Sequence, residues 1–140
     1  MSYTQEVKIG LLALPMKRAC CKKMWLMGLL SGAVEEGNAV RLRFHTMDVA
    51  SAVRDLLMTF CKGEMVFCEK QVGKNHYVDL LLAGPTFTEP LHAYEDGMLE
   101  EFCPPACPNC LNHFMIGAFL ACGTVNAPDE SSHLEFRVSI

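Results

Sequence analysis

The chain reads as an α+β domain with a mostly antiparallel sheet and two packed helices. Three observations predict this. Cys21–Ala33 returns in altered form as Cys110–Cys122, with Cys at the first position, an aromatic at the fifth (Trp25, Phe114) and Gly at the eighth (Gly28, Gly117). Self-similarity of this kind points to a duplicated structural unit. Val40-Arg41-Leu42-Arg43-Phe44-His45 alternates apolar and polar residues strictly, as a half-buried strand does. Finally, strand-like runs follow one another across short turns, with no regular strand–helix alternation of the parallel type.

In chain order, 4–14 is an amphipathic helix with Val7, Leu11 and Leu12 at helical spacing, closed by Pro15. Cys20–Ala33 is the first repeat helix, apolar around most of its circumference and therefore buried. Glu36-Gly37-Asn38 is a turn signal leading into the alternating strand. Asp48 is the expected N-cap of a helix over 49–61, with Val53, Leu56, Leu57 and Phe60 on its inner face. Strands over 65–69 and 76–82 flank a Gly73-Lys74-Asn75 turn. Residues 85–102 read as acidic and irregular, with one helical turn at 98–102. Cys103-Pro104-Pro105-Ala106-Cys107-Pro108 cannot be helical and serves as a stiff connector to the second repeat helix, 110–122. Asn126–Asp129 turns the chain into a last alternating segment, 133–140. One domain over 1–140 is expected, with a first module at about 20–102 and the start of a second at 110–140.

With 51% hydrophobic and 20% charged residues, disorder is excluded. No apolar run approaches the ~20 residues that cross a bilayer. The short run Ile9–Leu14 precedes its basic residues, the wrong order for an export signal. A cytoplasmic location with reduced thiols is expected, and the eight Cys are read as buried residues and not as a disulfide scaffold. The net charge of −4 hides a polarity: residues 1–74 hold 11 Lys/Arg and 7 Asp/Glu, while residues 75–140 hold one basic residue and 9 acids. Any contact with DNA must come from the N-terminal half and be weak.

Gly28-x3-Gly32 and Gly117-x3-Ala121 each set two small residues one turn apart, a pattern that lets two helix backbones approach closely. The paired repeat helices resemble the motif helices of LAGLIDADG homing endonucleases. The chain resembles more closely the N-terminal domain of the WhiA family, bacterial transcription regulators with a degenerate endonuclease-like domain. Met1–Lys8, Cys20-Cys21-Lys22-Lys23, Leu26–Leu30, Gly117–Val125 and His133–Phe136 carry the resemblance. It implies a role in transcription linked to sporulation or cell division. It also implies that the full family architecture adds a helix-turn-helix domain, which the chain lacks, so a fragment or a shortened relative is expected. In active nucleases of the fold each motif helix ends in an acid that holds a divalent cation. Aligning Gly28 and Gly117 with the motif puts Ala33 and Cys122 at those places, so no enzyme activity and no cofactor are expected.

The resemblance also implies that the outer sheet face lies on DNA. Arg41, Arg43 and His45 are then the phosphate contacts, extended by Lys70 and Lys74; an ordinary solvated strand face accounts for them equally well. The competing function is a protein-interaction or dimerisation module that uses 133–140 as an open edge strand. Cys103, Cys107 and Cys110, with Cys20 or Cys21 as a fourth ligand, have the residue types of a zinc site. Burial as small apolar residues is the preferred reading of these thiols, so no metal is expected.

Overall fold

A computed structural model describes residues 2–125 and 134–136. Among the described residues, six helices and six strands follow in order: α1 (Tyr3–Leu12), α2 (Ala19–Leu30), β1 (Val34–Glu36), β2 (Ala39–Phe44), α3 (Met47–Met58), β3 (Glu64–Val72), β4 (Asn75–Ala83), α4 (Pro85–Glu95), α5 (Leu99–Phe102), α6 (Cys110–Cys122), β5 (Gly123–Val125) and β6 (Leu134–Phe136). β1, β2, β4 and β3 form, in that order, an antiparallel sheet.

β2 puts Val40, Leu42 and Phe44 on the inner face with Val78, Leu80 and Leu82 of β4. These side chains meet Trp25, Leu29 and Leu30 of α2, Val53 and Leu57 of α3, and Phe87 and Leu91 of α4 in one core. Burying each large apolar side chain contributes ~1.5–3 kcal/mol, which sets the register of the sheet, since a one-residue slip would turn this set to solvent. α3 is capped by Thr46, whose Oγ1 accepts from the Val49 amide at 3.3 Å. The expected cap, Asp48, instead lies inside the first turn, where a carboxylate favours the helix dipole.

α4 corrects the expectation of an irregular 85–102. Pro85 stands at the start of the helix, where a missing N–H costs nothing, and Pro90 lies inside it. Phe87, Pro90 and Leu91 are buried, and this tertiary burial outweighs the hydrogen bond that Pro90 cannot make. Part of the segment expected to form an open edge strand is described, and there β6 keeps one free edge. β6 is paired along one side with β5, Gly123 opposite Phe136 and Val125 opposite Leu134. The rest of the 133–140 segment, His133 included, lies outside the described residues.

α2 and α6 pack against each other through their small residues. A Cβ on Gly28 would run into the Phe114 carbonyl oxygen, and one on Gly117 into the Trp25 carbonyl oxygen. Gly32 faces Ala121, whose Cβ would lie 2.7 Å from an added methyl. The two helices therefore touch backbone to backbone, and only glycine fits at the two closest positions.

Candidate functional site

Three places gather the chemistry that the sequence singles out: the outer sheet face and the two ends of the α2–α6 pair.

Among the described residues, α2, α3 and α4 pack on the inner face of the sheet. Strand pairing sets the rows of the outer one: Val34, Arg41, Leu81 and Val66 across all four strands, then Arg43, Asp79 and Cys68, then Tyr77 and Lys70. Arg43 is held by a bidentate pair with Asp79, Nε to Oδ1 at 2.8 Å and Nη2 to Oδ2 at 3.0 Å, and its guanidinium lies 5.2 Å from the Tyr77 ring centre. The carboxylate side chain is only 1% exposed, so this pair is structural as well as superficial. Arg41 Nε lies 2.8 Å from Glu36 Oε2, an ion pair without hydrogen-bond alignment. His45 also packs against Tyr77, with ring centres 5.3 Å apart. Burial, and then the nearby Lys8, hold its imidazole below the ordinary value. Lys70 and Lys74 are exposed, at the end of β3 and in the β3–β4 turn. Arg41, Arg43 and Lys70 thus share the outer sheet face, His45 meets it at Tyr77 and Lys74 lies in the adjoining turn; Arg41 and Arg43 are already engaged by acids.

At the C-terminal end of the helix pair, Ala33 is buried just past α2 and Cys122 is the last residue of α6. The Cys122 thiol donates to the Ala118 carbonyl at 2.9 Å. The neighbouring acids are occupied elsewhere: Glu35 accepts from His92 Nε2 at 2.7 Å, raising that imidazole's pKa, and Glu36 pairs with Arg41. Lys8 of α1 is buried here, 5.8 Å above the Phe119 ring centre and within electrostatic reach of Cys122. Burial holds its amine below the ordinary lysine value, although Cys122 opposes the shift. Nothing in the sequence pattern marked Lys8; its place on a short helix gave no sign of burial.

At the N-terminal end of the pair, four thiols meet. Cys20 and Cys21 open α2, and Cys107 and Cys110 stand at the turn into α6, with all four sulfurs within 4.8 Å of one another. Cys21 Sγ is 3.5 Å from Cys107 Sγ, which is 3.6 Å from Cys110 Sγ. The grouping Cys103, Cys107, Cys110 and Cys21 is corrected in one member. Cys103 points away, 3.5 Å from the Met24 sulfur, and Cys20 takes its place. The reason is the bend at Pro104-Pro105, which separates Cys103 from the turn that carries Cys107. Burial alone would raise the Cys107 thiol. The Asn109 amide and the thiols of Cys21, Cys20 and Cys110 donate to it and overcome burial, bringing it to about 6. Cys21, a buried donor in that network, is pushed up to about 12.

No family model and no curated protein matches the chain. Among solved structures it is similar to the crystal structure of the N-terminal LAGLIDADG domain of DUF199/WhiA, with a TM-score of 0.71 at 14% identity over 98% of this chain. The match covers 66% of that structure, so the chain spans slightly less than two thirds of its length. The paired helices with glycines at their contact, set against a four-stranded antiparallel sheet, are therefore those of a LAGLIDADG-type, WhiA-like fold.

Proposed function

We propose that the chain is a catalytically silent LAGLIDADG-type domain of a WhiA-like transcription regulator, engaged in sporulation or cell division and touching DNA weakly through its outer sheet face. The observation that carries the silent part is the C-terminal end of the helix pair. A nuclease of this fold needs carboxylates there to hold a divalent cation. This chain has Ala33, Cys122 and the buried amine of Lys8, and an ammonium repels the ion that carboxylates would bind.

The DNA part is supported by Arg41, Arg43 and Lys70 in the outer-face rows of the sheet, with His45 against Tyr77 and Lys74 exposed in the β3–β4 turn. Lys70 and Lys74 are the cleaner probes. Replacing Arg43 would strand the buried Asp79 carboxylate and confuse lost binding with lost stability. Binding to a mixed-sequence duplex should weaken steeply with salt, and Lys70→Ala/Lys74→Ala should lower the slope of log K against log salt by up to ~2. Binding that ignores both salt and the two lysines would sink this reading.

A specific observation favours a second reading, a protein-interaction surface. Glu36 and Asp79 offset two of the cations, and Val34, Val66 and Val72 stand exposed on the same face. Self-association through this face would appear as a dimer mass in light scattering.

A further inference from the structure

We infer that Cys20, Cys21, Cys107 and Cys110 form a structural Zn²⁺ site that ties together the N-terminal ends of the two repeat helices. Four thiols and no other donor type is the ligand set of a closed zinc site, which is tetrahedral with Zn–S bonds of ~2.3 Å. The edge of such a tetrahedron is about 3.8 Å. The Cys21–Cys107 and Cys107–Cys110 separations of 3.5 and 3.6 Å are close to that edge, and all four sulfurs fall within 4.8 Å. Small adjustments of side-chain torsions would complete the coordination.

The backbone around the thiols is arranged for negative sulfur. The Ala106 amide donates to Cys110 Sγ at 3.4 Å, and the Asn109 amide donates to Cys107. Four thiolates around one Zn²⁺ leave two negative charges in excess, which a half-buried site must offset. Two helix N-termini, those of α2 and α6, converge on it, and the positive end of the helix dipole favours an anion there. Neither helix has a capping side-chain hydrogen bond, as α4 and α5 also lack one, whereas α1 and α3 are capped by Ser2 and Thr46. A metal–thiolate centre would supply the negative charge that a capping side chain supplies elsewhere. Lys17, Arg18, Lys22 and Lys23 flank the first thiol pair in sequence and add to the compensation.

The consequence for the fold follows from topology. Cys21 and Cys107 are 86 residues apart, so the metal would close a loop that contains the whole four-stranded sheet. Each thiol binds as thiolate, so loading releases protons to solvent and the site weakens in acid. Cys-Pro-Asn-Cys supplies two ligands from a turn made rigid by Pro104, Pro105 and Pro108.

The test is elemental analysis of the full chain purified under reducing conditions without chelator. One zinc per chain is expected, and Co²⁺ in its place should give the charge-transfer and d–d bands of a tetrahedral thiolate site. Removing the metal with a strong chelator should lower the melting temperature, and adding zinc back should restore it. Cys107→Ser should lose the metal while Cys103→Ser keeps it; should Cys107→Ser fail to fold, the wild-type stoichiometry and the cobalt spectrum still decide. Below about 0.1 zinc per chain with the four thiols reactive, or a Cys21–Cys107 disulfide found by mass, the inference falls. Metal lost from Cys103→Ser but retained in Cys20→Ser would overturn the ligand assignment.

Discussion

The two ends of the α2–α6 pair carry opposite chemistry on one scaffold. At the N-terminal end, Cys20, Cys21, Cys107 and Cys110 crowd within 4.8 Å. At the other end stand Ala33, Cys122 and the buried Lys8 amine. Between them, Gly28 and Gly117 bring the backbones into contact. The geometry that lets two helices converge is thus separable from whatever their ends hold. In a nuclease of this fold that convergence would serve catalysis at one end. Here the ligand-type residues have gathered at the other.

The strongest way to break the comparison is to separate the helices at the waist, because both ends depend on it. Gly28→Val or Gly117→Val should cost about 3 kcal/mol or more, since the added carbons meet main-chain atoms that cannot move aside. Thermal or urea denaturation measures this. A loss under about 1 kcal/mol would mean that the helices can part cheaply and that the two ends are not coupled.

A smaller effect comes from placing an acid at the far end. Ala33→Asp buries a carboxylate where the side chain is 5% exposed, and should cost ~2 kcal/mol at neutral pH. The burden should ease in acid, as the new carboxyl takes up a proton. Equal destabilisation at pH 4 and pH 8 would show that size and not charge is the problem.

The smallest effect has the opposite sign. Lys8→Met replaces a desolvated amine by an apolar chain of similar length and should gain ~1 kcal/mol. The folded-state pKa of Lys8 is lowered, so its cost is full below that pKa and is relieved as pH rises toward the unfolded value. The advantage of Lys8→Met should therefore shrink between pH 7 and pH 10, which parallel melts of the two proteins would show. An advantage that stayed constant would place the Lys8 head group in water and remove it from the electrostatics of the far end.

Much of the fold was legible because its signals are local. The alternation of β2, the turn at Gly73-Lys74 and the two copies of the repeat helix each follow from periodicity that a few residues carry. The outer-face grouping of Arg41 and Arg43 follows from the same alternation. Their acid partners did not, because the Arg43–Asp79 pair is a cross-strand contact set by register. α4 escaped because Pro90 argues against a helix locally, while the burial of Phe87 and Leu91 that sustains it is a property of the packed core.

The sequence by itself determined the two copies of the repeat helix and the small residues along them, since these depend only on residue identity at helical spacing. Only the tertiary structure decided which thiols meet. Cys103 is four residues from Cys107, yet it faces Met24, whereas Cys20 and Cys21 arrive from the far side of the sheet's whole length of chain. Spacing along a chain ranks local partners. Which thiols lie side by side is decided by the packed structure, in which the helix backbones meet at Gly28 and Gly117 and their ends converge.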